Sequence, residues 1–297
     1  MFDVLIQNAT IVDGTGETWF HGGIGVTGDS VTVLRGDTQS YSDSKRIIEA
    51  SGKVACPGFI DMHSHSDLSL LTSPQHEVKL KQGVTTEIMG MDGLSYAPSS
   101  PANLEMLLIY LKALNGLPPE GVRWSSVKEF LELFDHRVSC NVGYFVPHAS
   151  IRVEVMGWDA RLPTDSEILK MQGLAREGMQ QGAFGFSTGL TYPPGAYSDT
   201  KELVDICESI KDLGGIYMTH ARYSLGDKLL DPFKEAVSIG RQSGVPVHIS
   251  HYHNPVNGMG QRMANLVDEG RNAGIDVTFD QYPYPAASTL LHSLLPY

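Results

Sequence analysis

From residue 55 onward, apolar runs of strand length recur between helix-like segments: ACPGFIDMH, GVTTEIMG, NVGYFVP, GAFGFSTG, GIYMTHA, VPVHISH and GIDVTFDQY. Alternation of strand and helix demands a parallel sheet, because each strand can rejoin the same sheet only through a crossover packed on its face. Three intervening segments carry helical stripes. SEILKMQGLAREGMQQG sets Ile168, Leu169, Met171, Leu174, Ala175 and Met179 at largely helical spacing before Gly182. TKELVDICESIKDLGG sets Leu203, Ile206, Cys207 and Ile210 inward before Gly214. NLEMLLIYLKALNG carries Leu104, Leu107, Leu108, Leu111 and Leu114, and is too short for a membrane anchor. Seven strands over roughly 240 residues suit an α/β protein of the (β/α)8, TIM-barrel type that lacks its eighth strand in this chain.

Residues 2–54 have another rhythm. DVLIQNATIVDG, HGGIGVTGDSVTVLRG and SKRIIEASGKVAC are β-branched, alternate in places and are broken by Gly, Asp and Asn. They predict a small β-sandwich part whose short strands need partners from elsewhere. The expected division is residues 1–54 and residues 55–297, the second C-terminally incomplete.

A net charge of −12 argues against nucleic acid or an anionic membrane as partner. Cys56, Cys140 and Cys207 form no CxxC pair, so neither a disulfide framework nor a zinc finger is expected. With no signal-peptide pattern in MFDVLIQNATIVDG, the expected compartment is the cytoplasm. A small-molecule substrate is the expected partner, and a homo-oligomer stays open.

Barrel active sites lie at the C-terminal ends of the strands. His63 and His65 sit there on the first barrel run, two apart and therefore on one face, as a ready pair of metal ligands. His220 ends GIYMTH, His251 follows VPVHIS with His253 two residues on, Asp92 follows VTTEIMGM, and Asp280 ends IDVTF. One histidine at a strand end is usually a structural hydrogen-bonder. Four of them with carboxylates, at equivalent places on separate strands, point to a divalent metal. Glu87 shares a strand with Asp92 at opposite parity, so it faces the helices, where a buried carboxylate needs a partner.

PGFIDMHSH resembles the signature of the amidohydrolase superfamily, metal-dependent hydrolases built on this barrel. HSDLSLL, GVTTEIMGMDGLSYAPSS, GAFGFSTGLTYPPGAYS, GGIYMTHARYS, VPVHISHYHN and FDQYPYPAASTLL resemble, in order, the blocks of its N-acyl-D-amino-acid deacylase (D-aminoacylase) branch. The resemblance covers nearly the whole chain. It implies His63, His65, His220 and His251 as ligands of one or two divalent ions, zinc foremost, with manganese, cobalt or iron as alternatives. The branch usually carries a bridging cysteine in a GNCG block. Here Gly90-Met91-Asp92-Gly93 puts Asp92 in its place, as a ligand with a catalytic part or as a loop hydrogen-bonder; a carboxylate is a harder and weaker donor than a thiolate.

The implied mechanism has the metal lower the pKa of a bound water toward ~7 and polarise an amide carbonyl, which the resulting hydroxide attacks. Tyr192 in GLTYPPG matches a position that can donate to the oxyanion, with loop packing as the alternative. An acid then protonates the leaving amine. Tyr282, Tyr284, Ser288 and Arg222 are candidates for holding the substrate carboxylate. His253 stands where the branch usually has lysine, and a neutral imidazole pairs more weakly with a carboxylate. Arg222 and His253 keep structural readings beside the functional ones. The fourth run, GAFGFSTGL, has no lysine, which counts against a carboxylated-lysine centre.

The family takes its general base from an aspartate on the eighth strand, and this chain ends at STLLHSLLPY after the seventh. A fragment of a longer protein is expected; completion by a second chain and an inactive metal-binding remnant stay open. The expected function is metal-dependent hydrolysis of a linear amide, with cyclic imides, lactams or carbamates as alternative substrates.

Overall fold

All seven barrel runs become strands, and their order in space is their order in the chain. The structure is a computed structural model and describes residues 1–38, 41, 43–223, 225–227, 229–254, 256–286 and 288–291. By internal contacts it divides into two compact units, Met1–Phe59 and Ile60 onward.

The first unit is a mixed sheet. Strands β1 (Phe2–Ile11), β2 (Phe20–Thr27), β3 (Ser30–Arg35) and β4 (Ser44–Glu49) lie in the order β3-β2-β1-β4, and β5 (Val54–Ala55) also pairs with β1. Strand β2 pairs antiparallel with both β1 and β3, whereas β4 and β5 join β1 in parallel. Its core is small: Ala9, Ile11 and Ala50, with Ile6, Phe20 and Ile24 packed against them. Val31, Val33 and Ile47 stay exposed.

The second unit begins with β6 (Phe59–Asp61), α1 (Ser69–Thr72), α2 (Glu77–Leu80) and β7 (Val84–Met89). Helices α3 (Pro101–Tyr110), α4 (Lys112–Asn115) and α5 (Val127–Glu132) lead to β8 (Asn141–Pro147). Next come α6 (His148–Met156), α7 (Asp165–Gln180), β9 (Gly185–Gly189), α8 (Thr200–Ser209) and β10 (Ile216–His220). The chain continues through α9 (Asp231–Ser243), β11 (Val247–Ile249), α10 (Met259–Asn272) and β12 (Val277–Phe279). The strands from β7 to β12 pair in parallel, each with the next, and β6 lies beside β7. Among the described residues this is an incomplete (β/α)8 barrel of seven strands. Among the described residues, no helix is long and apolar enough to cross a membrane.

Strand alternation divides the core. Ile88, Phe145 and Met218, with Met91, cluster separately from Tyr144, Val146, Phe186 and Tyr217, which join the main cluster shared with the helices. Helix α7 starts from a capping box between Thr164 and Glu167, and Asp199 caps α8. The α8 stripe of Leu203, Ile206 and Cys207, continued by Ile210, is wholly buried. Leu169 departs from expectation at 67% exposed: Met171 and Ala175 define the buried line of α7, and Leu169 lies off it. NLEMLLIYLKALNG is two helices, parted at Leu111.

A buried charge cluster locks α6 to α8 beneath the end of β8. Arg152 Nη1 donates to Glu202 Oε1 at 2.6 Å, and His148 Nε2 lies 2.8 Å from the same oxygen. Glu202→Ala leaves the Arg152 guanidinium buried without its counter-charge, at a cost of about 3–5 kcal/mol. Urea denaturation reads this as a large fall in midpoint; an unchanged midpoint contradicts the assignment.

Candidate metal centre

The segment after β6 continues its alternation. Ser64, between the two histidines, turns away from them: its Oγ donates to Glu87 Oε2 at 3.0 Å, and its N–H to the Ile88 carbonyl at 3.3 Å. Glu87 is fully buried and also meets His76 Nε2 at 2.9 Å and Lys79 Nζ at 3.2 Å. These are the partners that a carboxylate on the helix side of β7 requires. They anchor the segment that presents His63 and His65.

After β7 the chain makes a tight turn. Gly90, Asp92 and Gly93 all have positive φ, and Asp is among the few side chains that tolerate that region. Ser187 on β9 clasps the turn, donating to the Gly90 carbonyl and accepting from the Gly93 N–H. A Cβ at Gly189 would lie 2.0 Å from the Asp92 carbonyl oxygen, so only glycine admits this approach.

Asp92 Oδ2 thereby becomes the meeting point of four imidazoles. His63 Nε2 lies 3.3 Å away, His65 Nε2 3.4 Å, His251 Nε2 3.8 Å and His220 Nδ1 3.9 Å. Two ligand groups result, His63–His65–Asp92 and Asp92–His220–His251, sharing Asp92. All five predicted ligands are brought together. Several outward ring nitrogens have oxygen partners: His63 Nδ1 with Asp280 Oδ2 at 3.2 Å, His220 Nε2 with Thr191 Oγ1 at 2.6 Å, and His251 Nδ1 with Tyr223 OH at 2.9 Å. If these nitrogens donate, the inward ones present lone pairs to the centre. Asp92 Oδ1 is buried without a hydrogen-bond partner.

The electrostatics carry the same demand for a cation. Burial pushes the Asp92 carboxyl up, but His63 and the other imidazoles hold it well below the usual range. Burial opposes the charged form of His63 as well, yet Asp92 and Asp280 raise its pKa to about 10. His220 falls to about 3 because burial outweighs the pull of Asp92. Nitrogen and oxygen donors around a buried carboxylate, with one oxygen to spare, fit a divalent ion.

The centre lies in a cavity of about 690 Å³. Leu94, Leu114, Tyr192 and Tyr223 line it, as do His253, Tyr282, Tyr284 and Ser288. The Tyr192 ring centroid is 4.7 Å from that of His220, and its hydroxyl is 2.9 Å from Thr289 Oγ1. His253 Nδ1 lies 2.7 Å from the His251 carbonyl oxygen, and its ring packs on Tyr282 at 5.2 Å.

Arg222 has internal partners, which agrees with the structural reading kept for it. Its Nε donates to Glu235 on α9 at 3.1 Å, and its Nη1 to the Ala196 carbonyl at 3.2 Å. The guanidinium is thus held by an internal ion pair and a backbone carbonyl, while its Nη2 is buried without a hydrogen-bond partner. Thr191, Tyr223 and His248 escaped the sequence reading, because the first two lie in loops where periodicity is lost and the third reads as an ordinary strand residue.

A model of the Amidohydrolase family matches residues 46–274, and the chain belongs to that family. It is 36% identical over 296 residues to the D-aminoacylase of Alcaligenes xylosoxydans xylosoxydans, covering 98% of this chain and 59% of that protein. It is 35% identical to the N-acyl-D-aspartate deacylase of the same organism, covering 97% and 57%. A crystal structure of D-aminoacylase superimposes with a TM-score of 0.82 at 35% identity, over 96% of this chain and 59% of that one. The N-acyl-D-glutamate deacylase of Bordetella bronchiseptica, solved with zinc and a phosphonate inhibitor, gives 0.83 at 30% identity, over 96% and 59%. The chain thus spans less than two thirds of the length of these relatives.

The raised His63 pKa sets a sign for the metal-free protein. A group raised from 6.5 to about 10 contributes stability that is fully present below the lower value and is lost as pH rises through the higher. Metal-free protein is therefore expected to lose stability as pH rises from about 6.5 through about 10, and His63→Gln to flatten that slope. Urea denaturation at several pH values checks this; a flat profile for the unsubstituted protein contradicts it.

Proposed function

We propose that this chain carries the metal and substrate site of a hydrolase that removes the acyl group from N-acyl-D-amino acids. The observation that carries the reading is the gathering of His63, His65, His220 and His251 around Asp92 at a cavity. Membership of the Amidohydrolase family and the likeness to D-aminoacylases support it. Zinc, named in the Bordetella structure, is the first candidate ion, with His63, His65, Asp92, His220 and His251 as its holders. A bound divalent ion supplies Lewis acidity and makes water acidic enough to ionise near neutral pH.

The side chains around the ion have separate tasks. Tyr192 stays protonated, since burial and the nearby Asp92 charge push its pKa up to about 12. Its hydroxyl can therefore donate to charge developing on the amide oxygen. Leu94 and Leu114 give the cavity an apolar wall suited to an acyl chain or an apolar side chain. Tyr282, Tyr284, Ser288 and His253 supply hydroxyls and an imidazole for the polar end of the substrate. His253 stands where the branch that the sequence resembles usually has lysine, which favours a substrate end held by hydrogen bonds rather than by an ammonium group.

A panel of N-acetyl-D-amino acids set against cyclic imides, assayed with zinc-loaded protein of the relatives' full length, tests the proposal. Release of acetate from D-substrates is the expected result. Cleavage of the imides alone, or of neither class, overturns it. Tyr192→Phe is expected to lower kcat about 10²–10³-fold with little change in KM. An unchanged kcat removes Tyr192 from the reacting end of the cavity.

A further inference from the structure

We infer that Asp280 is the positioning residue that joins the two histidine pairs into one centre. It touches both. Oδ2 is 3.2 Å from His63 Nδ1, in the pair after β6, and 3.1 Å from His248 Nε2. Oδ1 accepts from the His251 backbone N–H at 2.6 Å, in the pair formed by β10 and β11. The inference rests on the metal reading above and adds to it what sets the ring orientations.

Each contact has a distinct consequence. As a carboxylate, Asp280 can only accept, so His63 keeps a proton at Nδ1, and Nε2, toward Asp92, is the nitrogen left to give its proton up to a metal. His251 has φ of 36°, a left-handed conformation that a non-glycine residue holds only when its surroundings enforce it. The bond from its N–H to Asp280 Oδ1 supplies that enforcement. Backbone bonds brace the same loop from both sides: Asp280 N–H to the Ile249 carbonyl at 3.2 Å, and Tyr252 N–H to the Asp280 carbonyl at 2.8 Å. His248, held at its other nitrogen 2.8 Å from Thr278 Oγ1, keeps the carboxylate from rotating. Glu87 braces only the first pair, through Ser64. Asp280 reaches across the sheet, from the end of β12 to the segment after β6, and its loss uncouples the pairs.

Asp280→Asn preserves shape and one acceptor but turns an N–H toward either His63 or the His251 N–H, so one of the two pairs loses its hold. Zinc affinity, measured by competition with a chromophoric chelator, is expected to fall about 10–100-fold in this variant. The visible absorption of the cobalt-loaded variant is expected to differ from that of the unsubstituted protein, while its circular dichroism stays the same. Unchanged zinc affinity and an unchanged cobalt spectrum overturn the inference and leave the metal reading standing. Absence of zinc binding in the unsubstituted protein removes both. Should the variant fail to fold, 15N shifts of the histidine rings in zinc-loaded, unsubstituted protein decide the matter: His63 protonated at Nδ1 supports the inference, and at Nε2 overturns it.

Discussion

Four imidazoles crowd within 4 Å of one buried carboxylate oxygen, and most of the second unit can be understood as the scaffold that keeps them there. Lone pairs and a negative charge at such range repel one another unless a positive charge lies among them. In water the rings would turn outward and hydrate. Here Asp280, Thr191 and Tyr223 sit at the outer nitrogens of His63, His220 and His251. The site is thus pre-organised for a cation, and the raised pKa of His63 expresses the same demand in protons.

The barrel converts that local demand into a fold requirement. Parallel strands end on one rim, so β6, β7, β10 and β11 deliver ligands from distant parts of the chain to one place. Alternation puts Ile88, Phe145 and Met218 into one small cluster and sends aromatic residues of the same strands into the helix-facing core. Where regular strand geometry cannot bring the chain close enough, the backbone departs from it, at the positive-φ turn of Gly90 to Gly93 and at His251, while the bare Cα of Gly189 on β9 admits the turn's close approach. These departures cluster at the centre, where strain can persist because neighbouring bonds over-determine it.

Much of this was legible in the sequence, for identifiable reasons. Strand and helix order follows from hydrophobic period, which is local, and the seven runs became seven strands. His63, His65, Asp92, His220 and His251 could be named as metal-holding candidates because barrel topology converts position at a strand end into position in space, and the family resemblance narrowed the set. What stayed hidden depended on side-chain direction in loops. Arg222 looked available because its partner, Glu235, lies on the next helix and nothing in the spacing announces the pair. Glu87 had no visible partner because His76 and Lys79 reach it from a short helical turn whose packing is tertiary. Spacing alone puts Leu169 with the apolar residues of α7, but only the line through Met171 and Ala175 meets the core, and Leu169 lies beside it.

The account's central claim is that a metal ion resolves the crowding at Asp92. Anomalous diffraction recorded across the zinc edge from zinc-loaded crystals tests it most directly. The account predicts a peak about 2.0–2.2 Å from a carboxylate oxygen of Asp92 and from imidazole nitrogens of the facing histidines. No peak at that position, with the rings rotated out of contact, would contradict it.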